Sequence, residues 1–124
     1  MSTLIERVRL TAAAKQQLST LKRRTGIEHY NVIGRHAVCV SLANKTKVPV
    51  EALQFSGGLE IDWKTFAGEA ELTLTNLLIF RALVDEGDAG STAVRKVLHA
   101  HVHRGLGYLT SDPNSLCADR LLAA

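Results

Sequence analysis

The sequence predicts a mainly α fold: a ribbon-helix-helix-like N-terminal half, a short central strand or hairpin, and two further helices. Three observations predict it: apolar residues recur at helical spacing in four segments, capping and stop residues bracket those segments, and a short alternating stretch opens the chain. With 124 residues and 46% hydrophobic content, the chain can bury a core of its own. We expect one domain over residues 1–124, with a strand-helix-helix part at 1–47 and a helical part at 48–124.

A short alternating segment over residues 3–10 is the first predicted element. Alternation between two faces is typical of a half-buried strand. The residues expected to face inward are Leu4, Val8 and Leu10, and those expected to face outward are Thr3, Ile5, Arg7 and Arg9. Ribbon-helix-helix proteins bury such a strand by pairing it with the strand of a second chain, and the resulting ribbon enters the DNA major groove. The opening therefore predicts self-association.

Two helices are predicted next. Thr11 can cap the first helix, and Gly26 supplies its C-terminal stop. Its apolar residues at helical spacing are Ala14, Leu18 and Leu21. The second helix is expected to begin near Asn31, a favourable N-cap, and to end near Asn44. The residues expected on its buried side are Ile33, Ala37 and Val40.

A short strand is predicted in the centre of the chain. It follows the Gly57-Gly58 turn, and its apolar residues alternate with charged ones. The alternating apolar residues are Leu59, Ile61 and Trp63. A hairpin with the segment around Phe55 is one possible pairing for this strand.

Two long helices are predicted in the C-terminal part. The first runs from Glu71 to a stop at Gly87, with Leu72, Ile79 and Leu83 on its apolar face. Residues 72–75 alternate as in a strand, but the apolar run continues to Val84, which favours a helix. Ser91 can cap the second helix. The residues expected on its apolar face are Val94, Val97, Leu98, Val102, Leu106 and Leu109.

Charge is distributed unevenly along the chain. Residues 1–50 carry nine Lys or Arg against two acidic residues, a balance of +7, whereas residues 51–124 carry six against ten, a balance of −4. Such asymmetry indicates a part that faces a polyanion. The densest basic cluster, Lys22, Arg23 and Arg24, ends the first helix, where cations also complement the helix dipole. A DNA-facing surface and a merely solvated basic face both remain open interpretations.

No common catalytic motif is present: the sequence lacks a G-x-S-x-G elbow, a Walker A loop and a G-x-G-x-x-G fingerprint. His99, His101 and His103 lie in one predicted helix, whose 100° turn per residue keeps all three from one metal ion. His99 and His103 have the spacing of a ligand pair, but the sequence places no third ligand nearby. We expect polar or subunit contacts for this pair, a hydrogen-bonded interior position for His101, no metal and no cofactor.

The two cysteines, Cys39 and Cys117, are far apart and suit a reducing compartment. Cys39 lies one helical turn from His36, yet its apolar neighbours favour burial over a role as a nucleophile. The longest apolar run, residues 77–80, is far shorter than the roughly 20 residues that cross a bilayer. The N-terminus lacks a secretory apolar region. We therefore expect a cytoplasmic protein without a membrane partner.

Several segments resemble the DndE family of DNA sulfur modification proteins. They are residues 7–10 (RVRL), residues 18–27 (LSTLKRRTGI), Asn31, residues 59–69 (LEIDWKTFAGE) and residues 103–105 (HRG). The resemblance covers nearly the whole chain, and LKRRTGI and WKTFAGE are its sharpest elements. It implies a helical ribbon-helix-helix-like fold, a homotetramer, and binding to duplex DNA with a preference for nicks. It also implies partnership with the other Dnd proteins, which replace a non-bridging phosphate oxygen with sulfur.

The leading hypothesis is a noncatalytic DNA-binding subunit of a phosphorothioation system. The residues expected to contact DNA are Lys15, Lys22, Arg23, Arg24, Arg7 and Arg9. By the resemblance, the cluster at residues 22–24 and Lys15 belong to the basic surface that grips phosphates. Gly26 is expected in the turn between the first two helices, and Asn31 is expected as the cap of the second.

Three other hypotheses stay open. A DndE-like protein could itself nick DNA, with Lys22 near the scissile phosphate as an electrostatic stabiliser or base. A ribbon-helix-helix repressor would instead read one DNA sequence through Arg7 and Arg9, because Arg can contact guanine edges in the major groove. A scaffold would dock its acidic part on partner subunits, and its DNA contact would be incidental.

Overall fold

Helices account for most of the fold in a computed structural model that describes residues 4–49 and 52–111. The elements in chain order are β1 (Arg7–Leu10), α1 (Ala12–Thr25), α2 (Tyr30–Ala43), β2 (Leu59–Asp62), α3 (Trp63–Ala67), a 3-10 turn (Gly68–Ala70), α4 (Glu71–Glu86) and α5 (Ser91–Ser111). The predicted fold class is confirmed: a strand-helix-helix opening, a short central strand and two further long helices. Thr3 and Cys117 lie outside the described residues.

Helices α2 and α5 form the centre of the core. The predicted apolar face of α5 is confirmed by the burial of Val94, Val97, Leu98, Val102, Leu106 and Leu109. The two helices approach closely at Gly105, where a β-carbon would overlap the carbonyl oxygen of Ala37. Phe66 of α3 packs on Gly34 of α2 in the same way. Small residues thus set how closely the helices pack.

The buried faces of α2 and α4 are rotated from the predicted ones. The buried residues of α2 are Ile33, Gly34, Ala37, Val38 and Ser41, and those of α4 are Leu74, Leu78, Arg81 and Ala82. Val40 and Cys39, which were expected to be buried, are exposed, as are Leu72 and Leu83. The faces differ because Ser41 and Arg81 are polar residues that are buried and hydrogen-bonded, and each helix is oriented with that residue on its inner face.

β1 pairs with β2 of the same chain, antiparallel, with Leu10 opposite Leu59. Pairing of β2 with the segment around Phe55 was therefore the wrong expectation for this sheet, and one edge of the strand expected to form an intermolecular ribbon is occupied within the chain. Trp63 does not extend β2 but begins α3, and its amide N–H donates to the carbonyl oxygen of Glu6 at 2.9 Å. Ile5, expected to face outward, is buried, because the alternation of β1 begins only at Arg7.

Two histidines of α5 occupy the other edge of β1. The Arg9 amide N–H donates to Nε2 of His99 at 3.1 Å, and the Thr11 amide N–H donates to Nε2 of His103 at 3.2 Å. Each ring is bonded through Nδ1 to the carbonyl oxygen four residues earlier, of Arg95 and of His99. Because Nε2 accepts, Nδ1 must carry the proton. The imidazoles thus accept two backbone N–H groups on this edge of the strand.

The C-terminal end of α2 is held by two arginines. Arg81 of α4 donates to the carbonyl oxygens of Leu42, Asn44 and Thr46 at 2.6–3.0 Å. Arg104 of α5 donates to the carbonyl oxygens of Ser41, Asn44 and Thr46 and to the Ser41 hydroxyl. The last carbonyls of a helix lack partners within the helix. Here guanidinium groups from two other helices supply them.

We expect replacement of Arg81 by methionine to destabilise the protein by about 3–5 kcal/mol. The change removes the carbonyl bonds and leaves Asp85, which accepts from Nε at 2.8 Å, buried without its cation. Urea denaturation measures the free energy of unfolding. Arg95→Met, at an exposed site of α5, is the matched control and should stay within about 0.5 kcal/mol of the wild type. A cost below about 1 kcal/mol for Arg81→Met would contradict this account of α2.

Acid should destabilise the protein through His101, whose ring bonds the Ser41 hydroxyl at 2.7 Å. Burial, and then the charges of Arg81 and Arg104, lower its pKa from 6.5 to about 4 against the opposing effect of Asp85. Between these pH values the unfolded chain binds the extra proton and the native state does not. The free energy of unfolding should therefore be fully retained above pH 6.5 and fall by about 3 kcal/mol towards pH 4.

Urea denaturation across this pH range, in the wild type and in His101→Asn, isolates the histidine. The asparagine amide can still bond the hydroxyl but does not titrate, so the variant should lose about 3 kcal/mol less between neutral pH and pH 4. Identical pH profiles in the two proteins would assign the acid sensitivity to other groups.

Candidate nucleic-acid interface

Helix α1 has a polar outer face fixed by its two ends. Thr11 begins the helix, because its hydroxyl accepts the Ala14 amide N–H at 3.0 Å. Gly26 ends it in the left-handed conformation, with φ 76°, and this confirms the predicted turn. The buried residues of α1 are Ala14, Leu18 and Leu21. The sequence of the helix contains no Asp or Glu, so its solvent face can carry only positive charge.

The four cations predicted on α1 are all exposed. They are Lys15, Lys22, Arg23 and Arg24. Within residues 4–49 and 52–111, none of them forms a salt bridge. Lys15 and Lys22 are seven residues apart, almost two turns, and therefore share a face about 10 Å long. Arg24 donates to the carbonyl oxygen of Thr110 at 3.3 Å, beside the end of α5. The positive charge of this helix is available to an external anion.

A contact with an aromatic ring holds the Lys22 side chain in place and leaves its charge unneutralised. Its Nζ lies 5.4 Å from the ring centroid of Tyr30, whose hydroxyl bonds Oγ of Ser19 at 3.0 Å. A cation over an aromatic face is attracted but not neutralised. Sequence reasoning missed both partners. Helical spacing places Ser19 on the same face as Lys15 and Lys22, so its position could have been predicted. The contact with Tyr30 crosses the turn between two helices, and no local pattern predicts it.

Arg7 and Arg9 lie on the exposed face of β1, as predicted, but acidic residues face them. Arg7 forms a salt bridge with Glu60 of β2 at 2.7 Å, and Arg9 approaches the same carboxylate at 3.9 Å. Arg7 is also opposite Asp62 in the sheet register. The Arg9 guanidinium lies 5.1 Å from the ring centroid of Phe55. On the outer face of the sheet, acidic residues therefore offset the positive charges of Arg7 and Arg9. The sequence of α1 contains no acidic residue that could do the same.

Asn31 is not the cap of α2, contrary to the prediction. The helix begins at Tyr30, and His29 is the N-cap residue without a side-chain hydrogen bond. Asn31 instead donates from Nδ2 to the carbonyl oxygen of Thr65 at 3.1 Å, and this bond ties α2 to α3. A tertiary partner thus outweighs the capping preference of asparagine.

A shallow groove runs beside the first half of α1. Its lining residues are Ala12, Ala13, Lys15, Gln16, Ser19 and Gly57. Gly57 has a φ of 76° in the turn before β2, a conformation that favours glycine. Because most of these side chains are small or polar, a phosphate backbone could approach the helix closely here. Sequence reasoning missed Gln16 and Gly57 as members of this surface.

The histidine residues and Cys39 belong to no metal-binding group in the described part of the chain. There, no three His, Cys, Asp or Glu side chains are grouped so that they could hold a metal ion. Burial and the neighbouring Arg35 lower the pKa of His36. Among the described helices, none is long and apolar enough to span a bilayer.

Comparison with known proteins identifies the family. The family model "DNA sulphur modification protein DndE" matches residues 7–116. A crystal structure of DndE from Escherichia coli B7A, described as involved in DNA phosphorothioation modification, superposes with a TM-score of 0.71 at 26% sequence identity. The match covers 87% of this chain and 99% of that one. No curated protein matches. Since the family model spans most of its length, the chain belongs to the DndE family of DNA sulphur modification proteins.

Proposed function

We propose that this protein is a noncatalytic DNA-binding subunit that grips the backbone of duplex DNA through α1 and prefers nicked DNA. The observation that carries the proposal is the exposed set of α1 cations, which have no salt-bridge partner among the described residues. Its family and the E. coli structure support a role as a component of a DNA phosphorothioation system. DNA sulfur modification requires access to the phosphate backbone, which is what such a surface would hold.

The chemistry of α1 favours phosphate contacts over base reading. Lysine and arginine on one helix face can neutralise successive phosphates, and such contacts position a protein without reading sequence. Base reading would depend on Arg7 and Arg9, which are opposed by Glu60 and Asp62 across the sheet. The outer edge of β1 is also covered by α5. A backbone-gripping function is therefore better supported than a ribbon-helix-helix repressor.

A nick suits this kind of surface. Interruption of one strand makes the duplex flexible at that point and exposes a terminal phosphate or hydroxyl. A homo-oligomer presents several copies of α1, and two of them could hold the duplex on either side of the nick. Sulfur insertion must open and reseal the backbone, so a subunit that holds the interrupted strand would assist the reaction without catalysing it.

Removal of one α1 charge should weaken DNA binding in a salt-dependent way. For Lys22→Gln we expect the slope of log affinity against log salt concentration to become shallower by about 0.9, the contribution of one neutralised phosphate. Fluorescence anisotropy with a nicked duplex at several salt concentrations measures this slope.

The matched control is Lys64→Gln, which removes one positive charge from an exposed site on α3. It changes the net charge equally and should leave the slope unchanged. Equal effects of the two substitutions would mean that net charge alone drives binding, and a salt-independent interaction would refute the proposal. Intact and single-stranded competitors in the same assay test the preference for nicks.

Self-association is the second part of the proposal and uses the outer face of α4. Its exposed apolar residues are Leu72, Leu77, Phe80, Leu83 and Val84. The remaining exposed positions of this face are Thr73 and Asn76, so the face bears no charge. Charged residues are depleted from the cores of interfaces, and an exposed apolar patch marks a contact surface. A second copy of the chain can pair the same face across a two-fold axis. The tetramer implied by the family resemblance would need one further interface.

A charge placed in this face should separate the subunits. We expect Phe80→Glu to shift the sedimentation coefficient to that of a smaller species, because pairing would bury the new carboxylate without a partner. Thr92→Glu, which adds the same charge at an exposed site of α5, should leave the assembly intact. A wild-type protein that sediments as a monomer, or a Phe80→Glu variant that keeps its size, would reject this interface.

A further inference from the structure

A cavity of about 510 Å³ lies between α5 and the segments at residues 47–49 and 53–55. Its volume falls within the roughly 300–1,000 Å³ of small-molecule sites. The α5 side includes Ala100 and Gly107, whose small size leaves the space open, and the loop side is formed by Val48, Pro49 and Leu53. Apolar walls thus alternate with charged, histidine and tyrosine side chains.

Two aromatic rings in the cavity wall each lie beside an arginine. The Phe55 ring lies 5.1 Å from the Arg9 guanidinium and 5.6 Å from the His99 ring. The Tyr108 ring lies 5.7 Å from the Arg104 guanidinium, and 37% of this residue is exposed. Aromatic faces accept any nucleobase by stacking, and arginine adds a cation–π contribution. These rings favour a planar heterocycle over a flexible aliphatic ligand.

The cavity wall also carries three cations, Lys47, Lys96 and Arg104, against two carboxylates, Asp85 and Glu86. Nζ of Lys47 and Nζ of Lys96 lie 3.2 and 3.0 Å from the two carboxylate oxygens of Glu86. Two ammonium groups thus share one carboxylate, and each keeps further N–H donors for another acceptor. A phosphate group is the chemistry that this arrangement complements.

The cavity adjoins the proposed DNA surface. Phe55 lines the cavity, and Gly57, two residues further along the same loop, lines the groove beside α1. His103, also in the cavity wall, accepts the amide N–H of Thr11, the residue that begins α1. The loop at residues 55–57 thus borders both the groove beside α1 and the cavity.

We propose that this cavity binds one unpaired nucleotide of the DNA, such as the terminal nucleotide at a nick. The base stacks on the aromatic wall, and the phosphate is held by Lys47 and Lys96. The inference rests on the proposed DNA-binding function, because the groove along α1 delivers the strand. It adds a defined chemical preference, for an aromatic heterocycle that carries a phosphate, which backbone gripping alone does not require.

The test uses the full-length protein and two probes: a nicked duplex with 2-aminopurine at the terminal position, and 2′-deoxyadenosine 5′-monophosphate followed by ligand-observed NMR. We expect stacking to quench the fluorophore on binding and the mononucleotide to bind. Phe55→Leu and Tyr108→Leu keep apolar volume but remove the π face, and each should weaken mononucleotide binding about tenfold. Lys96→Gln should weaken the monophosphate but not the nucleoside, and the control Lys64→Gln should change neither.

The outcomes separate this inference from the proposed function. Salt-dependent binding of nicked DNA without quenching, together with no mononucleotide binding, would overturn the cavity inference and leave the proposed function intact. Mononucleotide binding without binding of duplex DNA would refute the proposed function, and with it the claim that the nucleotide belongs to DNA, while a nucleotide site in the cavity would stand. Circular dichroism checks the fold of each variant. If one aromatic variant fails to fold, the other and Lys96→Gln still decide the result.

Discussion

The rest of the structure depends on the hydrogen bonds that the last carbonyl groups of α2 accept. The helix ends at Asn44 in an extended conformation, without the left-handed glycine that closes α1 and α4. Its last carbonyls would lack partners if α2 packed through apolar contacts alone. Arg81 and Arg104 enter this end from α4 and α5, and both also bond the Thr46 carbonyl. One polar cluster thus fixes the orientation of three helices and anchors the segment that leads to the cavity.

The same fixed α5 determines what β1 can do. Once α5 lies across α2, His99 and His103 reach the amide groups of Arg9 and Thr11. Two amide groups on one edge of β1 are thereby bonded within the chain, and β2 takes the other edge. The strand-helix-helix order of ribbon-helix-helix proteins is retained, but its strand pairs within the chain. The proposed self-association accordingly uses α4.

Local signals in the sequence predict the elements well, and tertiary polar contacts explain where prediction fails. Thr11, Gly26 and Gly87 act within one helical turn, so the corresponding helix ends follow from residue type alone. The apolar face of α5 follows from its period. The faces of α2 and α4 do not, because Ser41 and Arg81 are polar residues that become buried by bonding distant partners. The pairing of Arg7 and Arg9 with Glu60, more than fifty residues later, likewise has no local signal.

The distribution of the N-terminal positive charge after folding bears most directly on function. In the sequence the excess is spread over the first fifty residues. In the structure Arg7 and Arg9 face Glu60, and Lys47 shares Glu86 with Lys96. Among the described residues the four cations of α1 keep no carboxylate partner, and Arg35 and Lys45 also lack one. Most of the unpaired N-terminal cations therefore lie on one helix. A basic face of this kind suits the proposed role of a DNA holder, because phosphate contacts position a protein without reading sequence.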